Sequence, residues 1–361
     1  MKYYILTITI LLIITIIIFT FLLYPKNNTF YKCPHKPNSE LLKIVFKENS
    51  MVQNPESYRL YLPCGYNYVD NELENANITG DFIFGLKGCD KIVSKNNLWR
   101  ILEITYGRYG ASKIMPESFI IGDEQQYLLA HKMLRSGQPL ICKKNLQRKL
   151  GIKFAFTQEE LEQCKKEDFK VAQKFLTNSW TIKNRKVNLR IYLLIVKKNK
   201  NINFYLHNNG KLLYTKNESN GKITFESHIT SFQMDSELYE KELLPHNLTE
   251  LKQHLGKHKY IPLLKKIKEN IKHLCQAISH IFNDNQYNNK TCFQLFGLDV
   301  IIDNNHPYIL EINKGPDMIP KCYKDIALKK MIYEDCFRTA GVINKNIFKK
   351  NGFYKIFSNK Y

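Results

Sequence analysis

A mixed α/β fold in three lobes is the class this sequence predicts, and three observations lead to it. Residues 185–198, 203–215 and 293–312 read as strands, because apolar side chains there alternate with polar ones or form short runs broken by a polar turn. Leu264, Ile267, Ile271, Leu274, Ile278 and Ile281 recur every three or four residues, which is the stripe of a helix with one buried face. The chain has 361 residues, enough for two or three lobes that share a core.

In chain order, residues 5–23 contain only Ile, Leu, Phe and Thr, long enough for a helix that crosses a bilayer. No small-residue cleavage site follows, so residues 1–24 are expected to be an uncleaved single-pass anchor. Lys2 precedes the run and Lys26, Lys32 and Lys36 follow it, which leans toward a membrane-anchored protein whose catalytic domain faces the cytoplasm. Residues 25–40, with three prolines, read as a tether, and 41–92 as a small N-terminal lobe. A central lobe is expected over 93–170 and a C-terminal lobe carrying a metal site over 171–350.

The net charge of +21 favours acidic partners: nucleic acid, anionic lipid or an acidic polypeptide. Nine cysteines are scattered with no CxxC pair, which argues against a disulfide framework or a zinc site and for a reducing compartment.

Most of the chemistry gathers in residues 293–318. An apolar run (Leu298, Val300, Ile301, Ile302), a polar turn (Asp303, Asn304, Asn305) and a second run (Tyr308, Ile309, Leu310, Ile312) predict a β-hairpin. Glu311 and Asn313 are two apart and share a face, and pairing can bring Asp299 beside them. Three oxygen donors in apolar strands suit Mg²⁺, which takes one or two carboxylates together with the phosphates of a nucleotide. A solvated hairpin is the plain alternative, but buried charges without partners are costly.

Phe293, Leu295, Phe296, Gly297, Asp299, Glu311 and Asn313 together resemble the metal-binding hairpin of the tubulin tyrosine ligase-like family, with Gln294 where the family has an acid. The resemblance implies an ATP-grasp-like fold, with ATP and Mg²⁺ as cofactors. By the same resemblance Lys95, just after a helix N-cap at Ser94, contacts phosphate. Pro116, Ser118 and Phe119 match a family strand. Lys143 ends a strand that binds the α and β phosphates, and Arg148, Gly151 and Ile152 belong to the loop covering them, with Lys149 where glycine is usual. Gln173, Lys174 and the backbone near Leu176 resemble the hinge that holds adenine.

Residues 185–198 are similar to the family's K-F-D-L-R-x-Y strand. Lys186, Asn188 and Arg190 share one face there, with Val187 for Phe and Asn188 for Asp. His228 and Thr230 match an H-L-T-N element in which Ser231 replaces Asn.

What the resemblance implies is a ligase in which the γ-phosphoryl group passes to a carboxylate, giving an acyl phosphate that an amine attacks. Arg190 and Glu311 would carry the catalytic charge balance, with electrostatics and positioning setting the rate. The implied acceptor is an acidic protein tail, tubulin's or similar, and the donor is a free amino acid, with glutamate favoured over tyrosine or glycine. Two alternatives stand beside this: a membrane-tethered, tubulin-binding pseudoenzyme, allowed by Lys149, Asn188 and Ser231, and a basic nucleic-acid-binding protein. Nucleic acid is the weaker partner, because the chain has no finger or RNP signature.

Overall fold

The structure is a computed structural model that describes residues 29–33, 39–65, 68–145, 151–219, 221–230, 239, 241, 243–344 and 350–361. Its spine is a pair of long strands, β10 (Arg185–Lys198) and β11 (Asn201–Tyr214), joined by a tight turn in which Asn199 has φ 54°. Their apolar residues alternate, so Val187, Leu189, Ile191, Leu193 and Ile195 enter one core while Tyr192, Leu194 and Val196 enter another on the opposite face.

Four short strands come earlier: β1 (Thr29–Lys32), β2 (Val52–Gln53), β3 (Leu60–Leu62) and β4 (Phe82–Ile83). Next are β5 (Ser118–Ile120), β6 (Leu140–Lys143), β7 (Ile152–Ala155), β8 (Val171–Lys174) and β9 (Thr181–Ile182). After the spine come β12 (Thr291–Asp303), β13 (His306–Asn313) and β14 (Phe353–Lys360). Among the described residues, the larger sheet runs β14-β11-β10-β12-β4-β3-β1-β2, with β13 on β12 and β9 on β10. A separate sheet of order β5-β8-β6-β7 makes the central lobe.

The helix Lys257–Ile278 covers one face of the large sheet through Ile267, Ile271, Leu274 and Ile278, and the helix Tyr323–Ala340 covers the other through Leu328, Ile332 and Phe337. The helix carrying the stripe begins at Lys257 and is preceded by a separate helix, Leu248–Leu255. Gly256 divides them at φ 73°, a backbone angle that costs glycine least.

Three expectations are corrected. Among the described residues no helix is long and apolar enough to cross a membrane, so the single-pass, cytoplasm-facing placement is not supported; residues 5–23 themselves lie outside the described residues. The helix Lys257–Ile278 is amphipathic, and Tyr323–Ala340 carries Asp325, Lys329, Glu334, Asp335 and Arg338 in its buried face, so neither is uniformly apolar. Part of the supposed tether is strand β1, which pairs in parallel with β2 and β3. Cys33 and Cys64 are joined in a disulfide; the β1–β3 register sets Lys32 opposite Leu62, and the two cysteines follow one and two residues further on. That proximity is a property of pairing, and no spacing rule in the chain announces it.

Candidate functional site

Strand β10 organises the site. Lys186, Asn188 and Arg190 project from the face opposite Val187 and Leu189, at intervals of roughly 6.8 Å per two residues. The three mark a hinge end, a middle and a carboxylate end.

At the carboxylate end, the register pairs Arg190 with Asp299 and Asp299 with Glu311, while Asn313 lies opposite Gly297. Arg190 donates to both oxygens of Asp299, Nη2 reaching Oδ2 at 3.0 Å. Gly297 is required here: a Cβ would stand 2.8 Å from Arg190 Cδ and 2.9 Å from Pro316 Cβ. Lys95, at the start of the helix Lys95–Ile114, places Nζ 3.3 Å from Glu311 Oε2, and Asn313 Nδ2 donates to Glu311 Oε1 at 3.3 Å. Lys143, buried at the end of β6, donates to Gln173 Oε1 at 2.6 Å.

The electrostatics follow from this crowding. Burial works against ionisation of Glu311, yet Lys95, Lys143 and Arg190 outweigh it and hold the carboxyl down to about 2. Burial pushes Asp299 above the usual aspartate range against the pull of Arg190, and the neighbouring Glu311 charge adds to the rise. Burial lowers Lys143 to about 8. The result is a carboxylate pair balanced by three cations.

At the hinge end, Lys186 Nζ donates to the Leu176 carbonyl at 3.3 Å and lies 4.8 Å from the centre of the Phe175 ring. Burial lowers this lysine to about 8. Phe175 meets Phe154 edge-on at 5.4 Å and His228 at 5.6 Å, and Phe154 meets Phe225 at 5.1 Å. Burial and the Lys186 charge depress His228 to about 4, so its ring is neutral at pH 7. An aromatic wall with backbone groups along one edge suits a flat heterocycle. Between the two ends, Asn188 Nδ2 donates to Thr230 Oγ1 at 2.8 Å, and the buried Asn188 Oδ1 has no partner among the described residues.

Among the residues expected from sequence, Lys95, Lys143, Arg190, Asp299, Glu311 and Asn313 come together at one end, Lys174, Leu176, Lys186 and His228 near the other, and Asn188 with Thr230 between them. Gln173 Oε1 accepts from Lys143 and its Nε2 donates to Ser118 Oγ at 2.9 Å. Gly151 accepts from the Lys144 N–H at 2.8 Å, directly after β6. Arg148, Lys149 and Ser231 lie outside the described residues.

Sequence reasoning missed Asn145, whose Oδ1 accepts from the Lys95 N–H at 3.0 Å, and the aromatic wall of Phe154 and Phe225. The phenylalanines were visible as apolar residues. Their convergence depends on β7 meeting the short helix Phe225–His228.

Comparison with known proteins gives a consistent picture. Residues 81–348 match the Tubulin-tyrosine ligase family. The chain is 28% identical over 180 residues to the probable tubulin polyglutamylase TTLL9 of Rattus norvegicus, covering 46% of this chain and 37% of that protein. It is 24% identical over 269 residues to tubulin glycylase 3D of Tetrahymena thermophila, covering 69% of this chain and 24% of that one. Against the human probable tubulin polyglutamylase TTLL2 it is 27% identical over 273 residues, covering 69% of this chain and 44% of that one. The matches therefore span less than half the length of these relatives.

Proposed function

Because this chain belongs to the tubulin-tyrosine ligase family, we propose that it is an ATP-dependent ligase joining an amino acid, glutamate in the first instance, to an acidic protein tail such as tubulin's. The observation that carries the reading is the arrangement along β10: an aromatic, backbone-edged end at Phe175 and Lys186, and a carboxylate–cation end two strand steps away at Arg190. Two steps come to roughly 13 Å, the reach of a nucleotide from base to outer phosphates.

The donor set fits both groups. Asp299, Glu311 and Asn313 present hard oxygens, which suit Mg²⁺, and the unpartnered Asn188 Oδ1 leaves an acceptor toward the middle of the strand. When bound, Mg·ATP supplies a phosphoryl group that activates a carboxylate as an acyl phosphate. In this reading Lys95, Lys143, Lys186 and Arg190 neutralise the polyphosphate and the charge that develops on transfer. Gln173 and Asn145 hold Lys143 and Lys95 in place. Phe154, Phe175 and the Lys174–Leu176 backbone hold the base. Thr230 and Asn188 orient one another.

Glutamate is the donor of choice for two reasons. The relatives TTLL9 and TTLL2 are named as polyglutamylases, and a chain of net charge +21 attracts both an acidic acceptor and an acidic donor. The test is incubation of the full chain with ATP, Mg²⁺, tubulin and glutamate, glycine or tyrosine in turn, read by intact-protein mass spectrometry. Glutamate increments that disappear in Glu311→Gln are expected. Mg·ATP binding without any increment on an acidic protein would replace the ligase with a nucleotide-binding pseudoenzyme.

A further inference from the structure

The helix Lys257–Ile278 differs from the helix Tyr323–Ala340 in what its charges touch. On Tyr323–Ala340 every cation of four has an acid: Lys324 reaches Glu250 at 3.3 Å, Lys329 reaches Asp325 at 3.3 Å, Lys330 reaches Glu48 at 2.6 Å and Arg338 reaches Glu334 at 3.0 Å. On Lys257–Ile278, Lys257, Lys265 and Lys272 are exposed and pair with no acid among the described residues, and Glu269 is the helix's one acidic residue. At about 100° per residue, Lys257, Ile261, Lys265, Lys268 and Lys272 fall within a sector of roughly 80°. Ile261 in that sector is 57% exposed, and Lys268 lies over the Tyr354 ring at 4.6 Å.

We propose that this stripe docks an acidic stretch of polypeptide, outside the ligase site, and so holds an acceptor or its carrier while the tail reaches the carboxylate end. The proposal rests on the ligase reading for its role but not for its chemistry. Complementary charge selects an anion. The stripe holds lysines without arginine, and the ring beside it, Tyr354, is covered by Lys268, which disfavours nucleic acid, where forked guanidinium contacts and stacking carry recognition. One exposed isoleucine among four lysines is too little apolar surface for a helix that beds into a bilayer. The fifteen rises of 1.5 Å from Lys257 to Lys272 make the stripe about 22 Å long, which an extended peptide at about 3.4 Å per residue covers with six or seven residues. The occupant is therefore a run of at least that many residues rich in Asp and Glu.

The stripe is carried by a helix that packs on the core face of the large sheet, whereas Arg190 and Asp299 project from the other face. Its removal should leave the nucleotide site untouched.

The test uses the full chain with saturating Mg·ATP and fluorescein-labelled peptides of ten and three glutamates, read by anisotropy at low salt. The variant carries Lys257→Gln, Lys265→Gln and Lys272→Gln together, with Lys268 kept because it packs on Tyr354. We expect the ten-residue peptide to bind the variant about tenfold or more weakly, with a shallower salt dependence, while the three-residue peptide and the Mg·ATP thermal shift are unchanged. Equal binding of the longer peptide by variant and native protein overturns the proposal. Tighter native binding to an RNA duplex or to phosphatidylserine vesicles than to the longer peptide overturns it as well, by assigning the stripe to another class of partner. If the native protein shows no Mg·ATP shift and no ligation yet the peptide loss is seen, the ligase reading fails and the docking stripe stands.

Discussion

Two carboxylate clusters sit side by side on the large sheet, and they behave differently. Arg190 on β10 lies in register with Lys211 on β11; Arg190 serves Asp299 and Glu311, while Lys211 serves Asp325. Asp325 is fully buried and saturated. Lys211 Nζ reaches both of its oxygens at 2.7 Å, His246 approaches at 3.1 Å, the Lys321 N–H at 3.1 Å and Lys329 at 3.3 Å. Glu311 keeps 28% of its side-chain surface exposed, and among the described residues Lys95 and Asn313 approach it at 3.3 Å. Ligand atoms of His246, Cys322 and Asp325 lie within 4.8 Å of one another, as a metal site would require, yet lysines already fill the space around Asp325. A carboxylate among cations is thus a clamp when it is dry and saturated, and an exchangeable site when it is open and loosely held.

The largest effect expected from this contrast is at the open cluster. Asp299→Asn with Glu311→Gln should abolish the Mg·ATP thermal shift and lower ligation by about a thousandfold or more. Asp325→Asn should do the opposite. It leaves Lys211 and Lys329 buried without their counter-charge and costs about 3–5 kcal/mol in urea unfolding, but the folded fraction keeps its Mg·ATP shift. Loss of that shift in folded Asp325→Asn would erase the distinction between the clusters.

A smaller effect is expected from acid. His246 and Lys211 outweigh burial and hold Asp325 well below its ordinary 3.8. The unfolded chain therefore binds this proton first, and the stabilisation is present in full above about pH 5 and is lost as pH falls through 3.8 and lower. Melting curves across this range should show a shallower acid limb for Asp325→Asn than for the native protein; parallel limbs would remove Asp325 as the clamp.

The smallest concerns Lys143, which burial lowers to about 8. Phosphate favours the charged amine, so binding should take up a fraction of a proton near pH 8, and Mg·ATP affinity should fall as pH rises beyond it. Calorimetry in two buffers of different ionisation enthalpy measures that uptake. None at pH 8 would place Lys143 away from the phosphates.

The strands, the amphipathic helix and the paired polar residues of the hairpin were legible because alternation and three-to-four periodicity are local properties. So was the family, since its marks are short patterns such as Asp299 followed by Glu311 and Asn313. The turn was legible too: Asn304 and Asn305 adopt φ 47° and 60°, which asparagine tolerates.

What tertiary structure alone decided is which way those residues face and what they meet. Ile309 and Ile312 are both buried in the same core, opposite Val300 and Leu298, although an odd number of positions separates them. A β-bulge resolves this by setting Leu310 and Glu311 together against Asp299, so that Glu311 turns out of the core and onto the face of Arg190. Alternation read along one strand cannot reveal a bulge, because it arises from the mismatch between two strands in contact. The same holds for the contact of Gln173 with Lys143, for Cys33 and Cys64, and for the Asp325 clamp. Each depends on distances between residues far apart in the chain. The sequence by itself determined the elements and the chemistry available to them; packing across strands determined which charges are sealed and which are left to exchange.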